Sequence, residues 1–119
     1  MAASVILDAM VHTVTPAELA ELVSTQVVDV IDVRDADEWE TGHIEGARLV
    51  PLEQLRADPD AALARDVATV FVCAKGVRSM QAAKLAERFG YERVYHLAGG
   101  TKEWVRAGMP LVVESRIAA

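Results

Sequence analysis

Ala68-Thr69-Val70-Phe71-Val72 is a strand-length run with an apolar or β-branched side chain at every position, so however it alternates, both of its faces need covering. Val27-Val28-Asp29-Val30-Ile31-Asp32 is a second run of the same kind. Strands buried on both faces are the mark of a parallel sheet, whose crossover connections lay helices against it.

The rest of the chain supplies that alternation. His12-Thr13-Val14 reads as a short strand. Thr15 then suits an N-cap, Pro16 the first helical position, and Glu18 the return half of a capping box, predicting a helix to about Ser24. Asp35 to Thr41 reads as a short acidic helix stopped by Gly42. Ala47 to Val50 reads as a strand stopped by Pro51, and Leu52 to Arg65 as one or two short helices around Asp58-Pro59. Beyond the loop from Cys73 to Ser79, Ala82, Leu85, Ala86 and Phe89 repeat at helical spacing up to Gly90. Arg93 to Leu97 is a further strand, Gly99-Gly100 a turn, and Thr101 to Ala107 a last helix before Gly108 and Pro110. This is an α/β pattern with a mainly parallel sheet. Only Met1 to Met10 and Glu114 to Ala119 look loosely held.

At 119 residues the chain is long enough for one core and too short for two. With 52% hydrophobic and 25% charged residues it is ordinary globular material. A net charge of -6 argues against nucleic acid or an anionic membrane as a partner. The charge is uneven: residues 1–74 carry four Lys/Arg against fourteen Asp/Glu, and residues 75–106 carry seven against three. Such a stretch suits a small anion, or is simply a basic solvated helix. No window approaches 18 uncharged apolar residues, and Met1 to His12 has no basic leader before an apolar run. The expected location is the cytoplasm, unless the chain is a mature form cut from something larger.

Cys73 is the only cysteine, so no internal disulfide is available. It falls at the C-terminal end of the strongest strand, where open α/β sheets bind ligands, and a loop and helix N-terminus follow it. An ordinary thiol is mostly protonated at pH 7, whereas helix N-termini and nearby cations favour the thiolate. Lys75, Arg78 and the amides of residues 74–79 are placed to supply both. Gly76 permits the positive φ of a tight anion-cradling turn. Free cysteine is also a common small core residue; the Lys, Gly and Arg behind Cys73 favour the reactive reading.

Cys73-Ala74-Lys75-Gly76-Val77-Arg78-Ser79 resembles the active-site loop of the rhodanese family of sulfurtransferases. Ile31-Asp32-Val33-Arg34, Glu38-Trp39 and Gly42-His43-Ile44-Glu45-Gly46-Ala47, ending at Pro51, resemble the family's amino-terminal signature. Leu97-Ala98-Gly99-Gly100, Trp104 and Gly108-Met109-Pro110 resemble its carboxy-terminal one. The resemblance implies a single rhodanese-like domain over residues 1–119, with a core of about 12–112, about five mainly parallel strands and helices on both faces.

It further implies that Cys73 takes a sulfane sulfur from thiosulfate or a persulfide and passes it to cyanide or a thiol. The amides of Ala74, Lys75, Gly76, Val77 and Arg78 would form the cradle. Such ping-pong chemistry needs no cofactor or metal. The family's first loop position is often larger or charged; Ala74 leaves donor attraction to Lys75 and Arg78. Arg78 is expected either at the anion or braced against Asp32, with Ser79 as structural support. Arg34 is expected either as a substrate-binding cation or paired with Glu38. His43 reads as a turn-stabilising hydrogen bonder, Trp39 and Trp104 as core, and Asp35, Asp37, Glu38 and Glu40 as a solvated face. His12, His43 and His96 lack metal-ligand spacing.

Two other functions fit the same pattern. One is a weakly active or non-enzymatic sulfur-relay module serving a partner protein. The other is a cysteine-based phosphatase or arsenate reductase, whose related enzymes use Cys-x5-Arg; here four residues separate Cys73 from Arg78, a tighter loop suited to one sulfur atom.

Overall fold

A computed structural model describes residues 11–113; the segments expected to be loosely held lie outside the described residues. Strands β1 (His12–Val14), β2 (Val28–Asp32), β3 (Arg48–Leu49), β4 (Ala68–Val72) and β5 (Val94–Leu97) form one sheet. Its order is β1-β5-β4-β2-β3, and every pairing is parallel. Six helices accompany it among the described residues: α1 (Pro16–Thr25), α2 (Ala36–Glu40), α3 (Leu52–Ala57), α4 (Pro59–Ala62), α5 (Val77–Arg88) and α6 (Gly100–Arg106). The single α/β domain with a parallel five-stranded sheet is the architecture the alternation predicted.

The central position of β4 explains its composition. All five of its residues are buried, and successive side chains enter opposite layers. Phe71 joins Ile31 and Val94 beneath Leu55, Leu63, Ala82, Ala83 and Ala86, side chains of the α3–α5 side. Val70 and Val72 join Val14, Val30 and Leu97 beneath Leu19 of α1 and Trp104 of α6. Helices therefore cover both faces of the sheet.

The start of α1 follows its sequence signal. The Glu18 amide donates to Thr15 Oγ1 at 3.1 Å, and the Thr15 amide donates to the Glu18 carboxylate at 2.9 Å. Asp58-Pro59 separates two short helices, with Asp58 Oδ1 accepting from the Ala61 amide at 3.2 Å.

Two packing expectations need correction. Phe89 lies outside the buried stripe of α5 and is 44% exposed, because the helix ends at Arg88 and Phe89 is its C-cap, off the helical phase. Trp39 is half-buried and stacks on His43, ring centroids 3.5 Å apart, whereas Trp104 is buried and donates from Nε1 to the Pro110 carbonyl at 2.8 Å. The amide and carbonyl of His43 also pair with Val112, tying the last described residues to the α2–β3 connection.

Candidate active site

The sheet delivers Cys73 directly after β4, and the loop that follows is fixed by backbone contacts. The Thr101 amide donates to the Cys73 carbonyl at 2.8 Å, and the Lys102 amide to the Ala74 carbonyl at 3.1 Å. The first turn of α6 thus clamps the start of the loop. Only glycine fits at the clamp: a Cβ on Gly100, whose φ is +65°, would lie 2.4 Å from the Cys73 carbonyl oxygen and the Ala74 carbonyl carbon. The Gly99-Gly100 pair that reads in sequence as a turn is in fact a close-approach site.

Gly76 turns the chain with φ +102° and is the N-cap of α5. That turn points its amide at Cys73 Sγ, 3.0 Å away, and the Ser79 amide reaches the same sulfur at 3.3 Å. Val77 and Arg78 open the helix, so their amides have no preceding helical carbonyl to donate to. Donors aimed at one sulfur favour negative charge on it. Sγ is otherwise enclosed: Cys73 is only 1% exposed and packs in the α3–α5 core layer. Ala74 is half-buried above it, while Lys75 and Val77 are exposed.

The contacts to Sγ come from the Gly76 and Ser79 amides and from the Ser79 hydroxyl at 3.5 Å, so Ser79 is a contact residue as well as a support. Ser79 Oγ is in turn 3.0 Å from Nδ1 of His96 on β5, a residue that sequence reasoning used only to dismiss a metal site. The link depends on registering Phe71 of β4 against His96, which no local pattern reports.

Both arginine pairings also differ. Asp32 does not hold Arg78; Arg34 takes it instead, with Nε at 2.9 Å and Nη2 at 2.8 Å from the carboxylate. Arg34 and Asp32 lie two residues apart on the same side of an extended chain, so they meet without any tertiary closure. Arg34 Nη2 also donates to the Gly42 carbonyl at 2.8 Å. Its side chain is 5% exposed and braces the end of β2; it makes its ion pair with Asp32 rather than with Glu38.

Arg78 instead grips Glu38 of α2 through two bonds, at 2.8 and 2.9 Å. Hydrogen bonding from Arg78 is the main reason the Glu38 carboxyl is held down at about 2, with the Asp35 amide assisting. Arg78 is correspondingly raised, first by Glu38 and more weakly by Cys73 and Asp35. Glu38 is therefore a member of the site, while Asp35, Asp37 and Glu40 stay exposed. His43 Nδ1 lies 3.1 Å from the Trp39 carbonyl, a local turn contact as expected.

Among the described residues, no three His, Cys, Asp or Glu side chains converge as metal ligands, and no helix is long and apolar enough to cross a membrane.

Known proteins resemble this chain in sequence and fold. The family model described as "Rhodanese-like domain" matches residues 15–107. The chain is 37% identical over 103 residues to the "Probable adenylyltransferase/sulfurtransferase MoeZ" of Mycobacterium tuberculosis, covering 85% of this chain and 26% of that protein. It thus spans about a quarter of the length of that relative. Against the "Thiosulfate sulfurtransferase GlpE" of Shewanella oneidensis it is 33% identical over 95 residues, covering 76% of this chain and 88% of that protein. The crystal structure of a rhodanese-related protein from Thermoplasma volcanium superposes with a TM-score of 0.79 at 29% identity, covering 87% of this chain and 99% of that one.

Proposed function

The chain belongs to the rhodanese-like domain family, and on that premise we propose that it is a thiosulfate or persulfide sulfurtransferase with Cys73 as its sulfur carrier. The observation that carries this reading is the convergence of the Gly76 and Ser79 amides on Sγ, at 3.0 and 3.3 Å, at the mouth of β4. They hold a nucleophile and can follow the charge as it moves outward onto an added sulfur.

With thiosulfate as donor, the Cys73 thiolate attacks the outer sulfur, the S–S bond of thiosulfate breaks, and sulfite leaves with its electron pair. Cyanide or a thiolate acceptor then takes the outer sulfur from the persulfide and regenerates the Cys73 thiolate. No electron is supplied from outside. Since Arg78 is engaged by Glu38, Lys75 is the exposed cation on the loop that draws in an anionic donor. The name of the Shewanella relative supports thiosulfate as donor. The cytoplasm is the compartment proposed, because reducing conditions keep a lone catalytic thiol free.

Cys73→Ser should abolish thiocyanate formation from thiosulfate and cyanide while leaving the circular dichroism spectrum unchanged. After incubation with thiosulfate, mass spectrometry should find one added sulfur atom on the wild-type chain and none on the variant. Full turnover by Cys73→Ser overturns the assignment.

A second reading has a specific observation behind it. Val77, beside the loop, is 66% exposed, an apolar contact that suits a protein acceptor docking over the persulfide. Faster sulfur release to a protein thiol than to cyanide would favour it.

A further inference from the structure

We propose that Ser79 and His96 form a proton path for Cys73: Ser79 touches the sulfur, and His96 acts behind it as a positioning residue. The proposal rests on Cys73 being the nucleophile. Cys73 is 1% exposed and its thiol donates to Ser79 Oγ, so the nearest acceptor for its proton is that hydroxyl rather than water.

The geometry supplies the path. The Cys73 thiol donates to Ser79 Oγ at 3.5 Å, and Ser79 Oγ lies 3.0 Å from Nδ1 of His96. A hydroxyl can accept from one partner while donating to the other. As the S–H bond breaks, its proton joins Ser79 Oγ, and the proton already on that oxygen passes to Nδ1. The products are a thiolate, an unchanged serine and an imidazolium, with no oxidant or reductant involved. In the reverse arrangement Nδ1–H donates to Oγ, and Oγ–H donates to the sulfur anion. The two ends of the path are the neutral ring that accepts at Nδ1 and the imidazolium that donates from it.

The surroundings suit an acceptor. His96 is 6% exposed, and burial lowers its pKa below the ordinary histidine value, which favours the neutral ring that can accept at Nδ1. Its sheet neighbours, Thr13 on β1 and Phe71 on β4, carry no charge, and α5 presents Ser79. The charged groups near Cys73 are Arg78, engaged by Glu38, and the exposed Lys75. The imidazolium is therefore offset chiefly by the thiolate formed with it.

The test is the rate of Cys73 alkylation by iodoacetamide between pH 6 and 10 in the wild type, Ser79→Ala and His96→Asn. Asparagine keeps an acceptor near the Nδ1 position but cannot take up a proton. We expect both variants to react at least about fivefold more slowly at pH 7 and within about twofold of wild type at pH 10, where hydroxide in the medium serves as the base in place of the histidine. Equal slowing at both pH values, or none at pH 7, overturns the path, since a packing role does not vanish in alkali.

A second readout needs no variant: alkylating Cys73 in the intact chain should move the pH midpoint of the His96 ring resonances in NMR. An unchanged midpoint overturns the path even where neither variant folds. Iodoacetamide requires no sulfur donor, so failed sulfur loading with these results intact would remove the sulfurtransferase reading alone.

Discussion

Three residues decide the sulfur's surroundings through properties other than charge. Gly76 adopts a φ of +102°, in a region that side chains with a Cβ rarely enter. Ser79 offers a hydroxyl at the one point reached by both Cys73 and His96. Gly100 leaves room for two backbones to meet, and its replacement tests how firmly the loop is clamped. Gly100→Ala places a methyl 2.4 Å from the Cys73 carbonyl oxygen at a left-handed φ, so the α6 turn must shift. The expected loss is at least about 2 kcal/mol in chemical denaturation, with sulfur loading at Cys73 falling further than the fraction folded. Unchanged stability would mean that the clamp is dispensable.

At the scale of elements, the loop is held between α6 on one side and α2 on the other. The Glu38–Arg78 pair spans 40 residues of sequence and fixes the first turn of α5 against α2. Both side chains are about one-third exposed, so solvent screening limits the pair to roughly 1 kcal/mol. Because the Glu38 carboxyl is lowered from 4.5 to about 2, the stabilisation is complete above about pH 4.5 and is lost as pH falls towards 2. Glu38→Gln should thus be about 1 kcal/mol less stable than wild type at pH 7, with the deficit shrinking below pH 4.5 and vanishing as pH falls through about 2. A deficit that persists undiminished in acid would assign it to packing. The pair also draws Arg78 away from Asp32, and the buried Arg34–Asp32 pair makes a separate brace at the end of β2. Asp32 and Arg34 meet locally, two residues apart, whereas no local pattern indicates that Glu38 takes Arg78, 40 positions away, because only placement in space brings those two together.

For the whole molecule, β4 is the shared wall of both core layers. Phe71→Ala removes the largest fully buried side chain among the described residues and should cost about 3–5 kcal/mol. That is a large share of the 5–15 kcal/mol typical of a domain. Thermal unfolding should remain one transition at a lower midpoint, since each layer packs on the same strand; a melt split into two would contradict that coupling. The amino-acid sequence by itself determined the alternation of strands and helices, the double-sided burial of β4 and the placing of Cys73 at its end. These follow from local terms: side-chain period, capping at Thr15, and chain breaks at Gly and Pro. The tertiary structure alone decided that Arg78 takes Glu38, that Gly100 backs the loop, and that His96 stands behind Ser79. Those contacts join residues 17 to 40 positions apart or depend on strand register, and their energies exist only once the sheet has brought the partners within hydrogen-bonding distance.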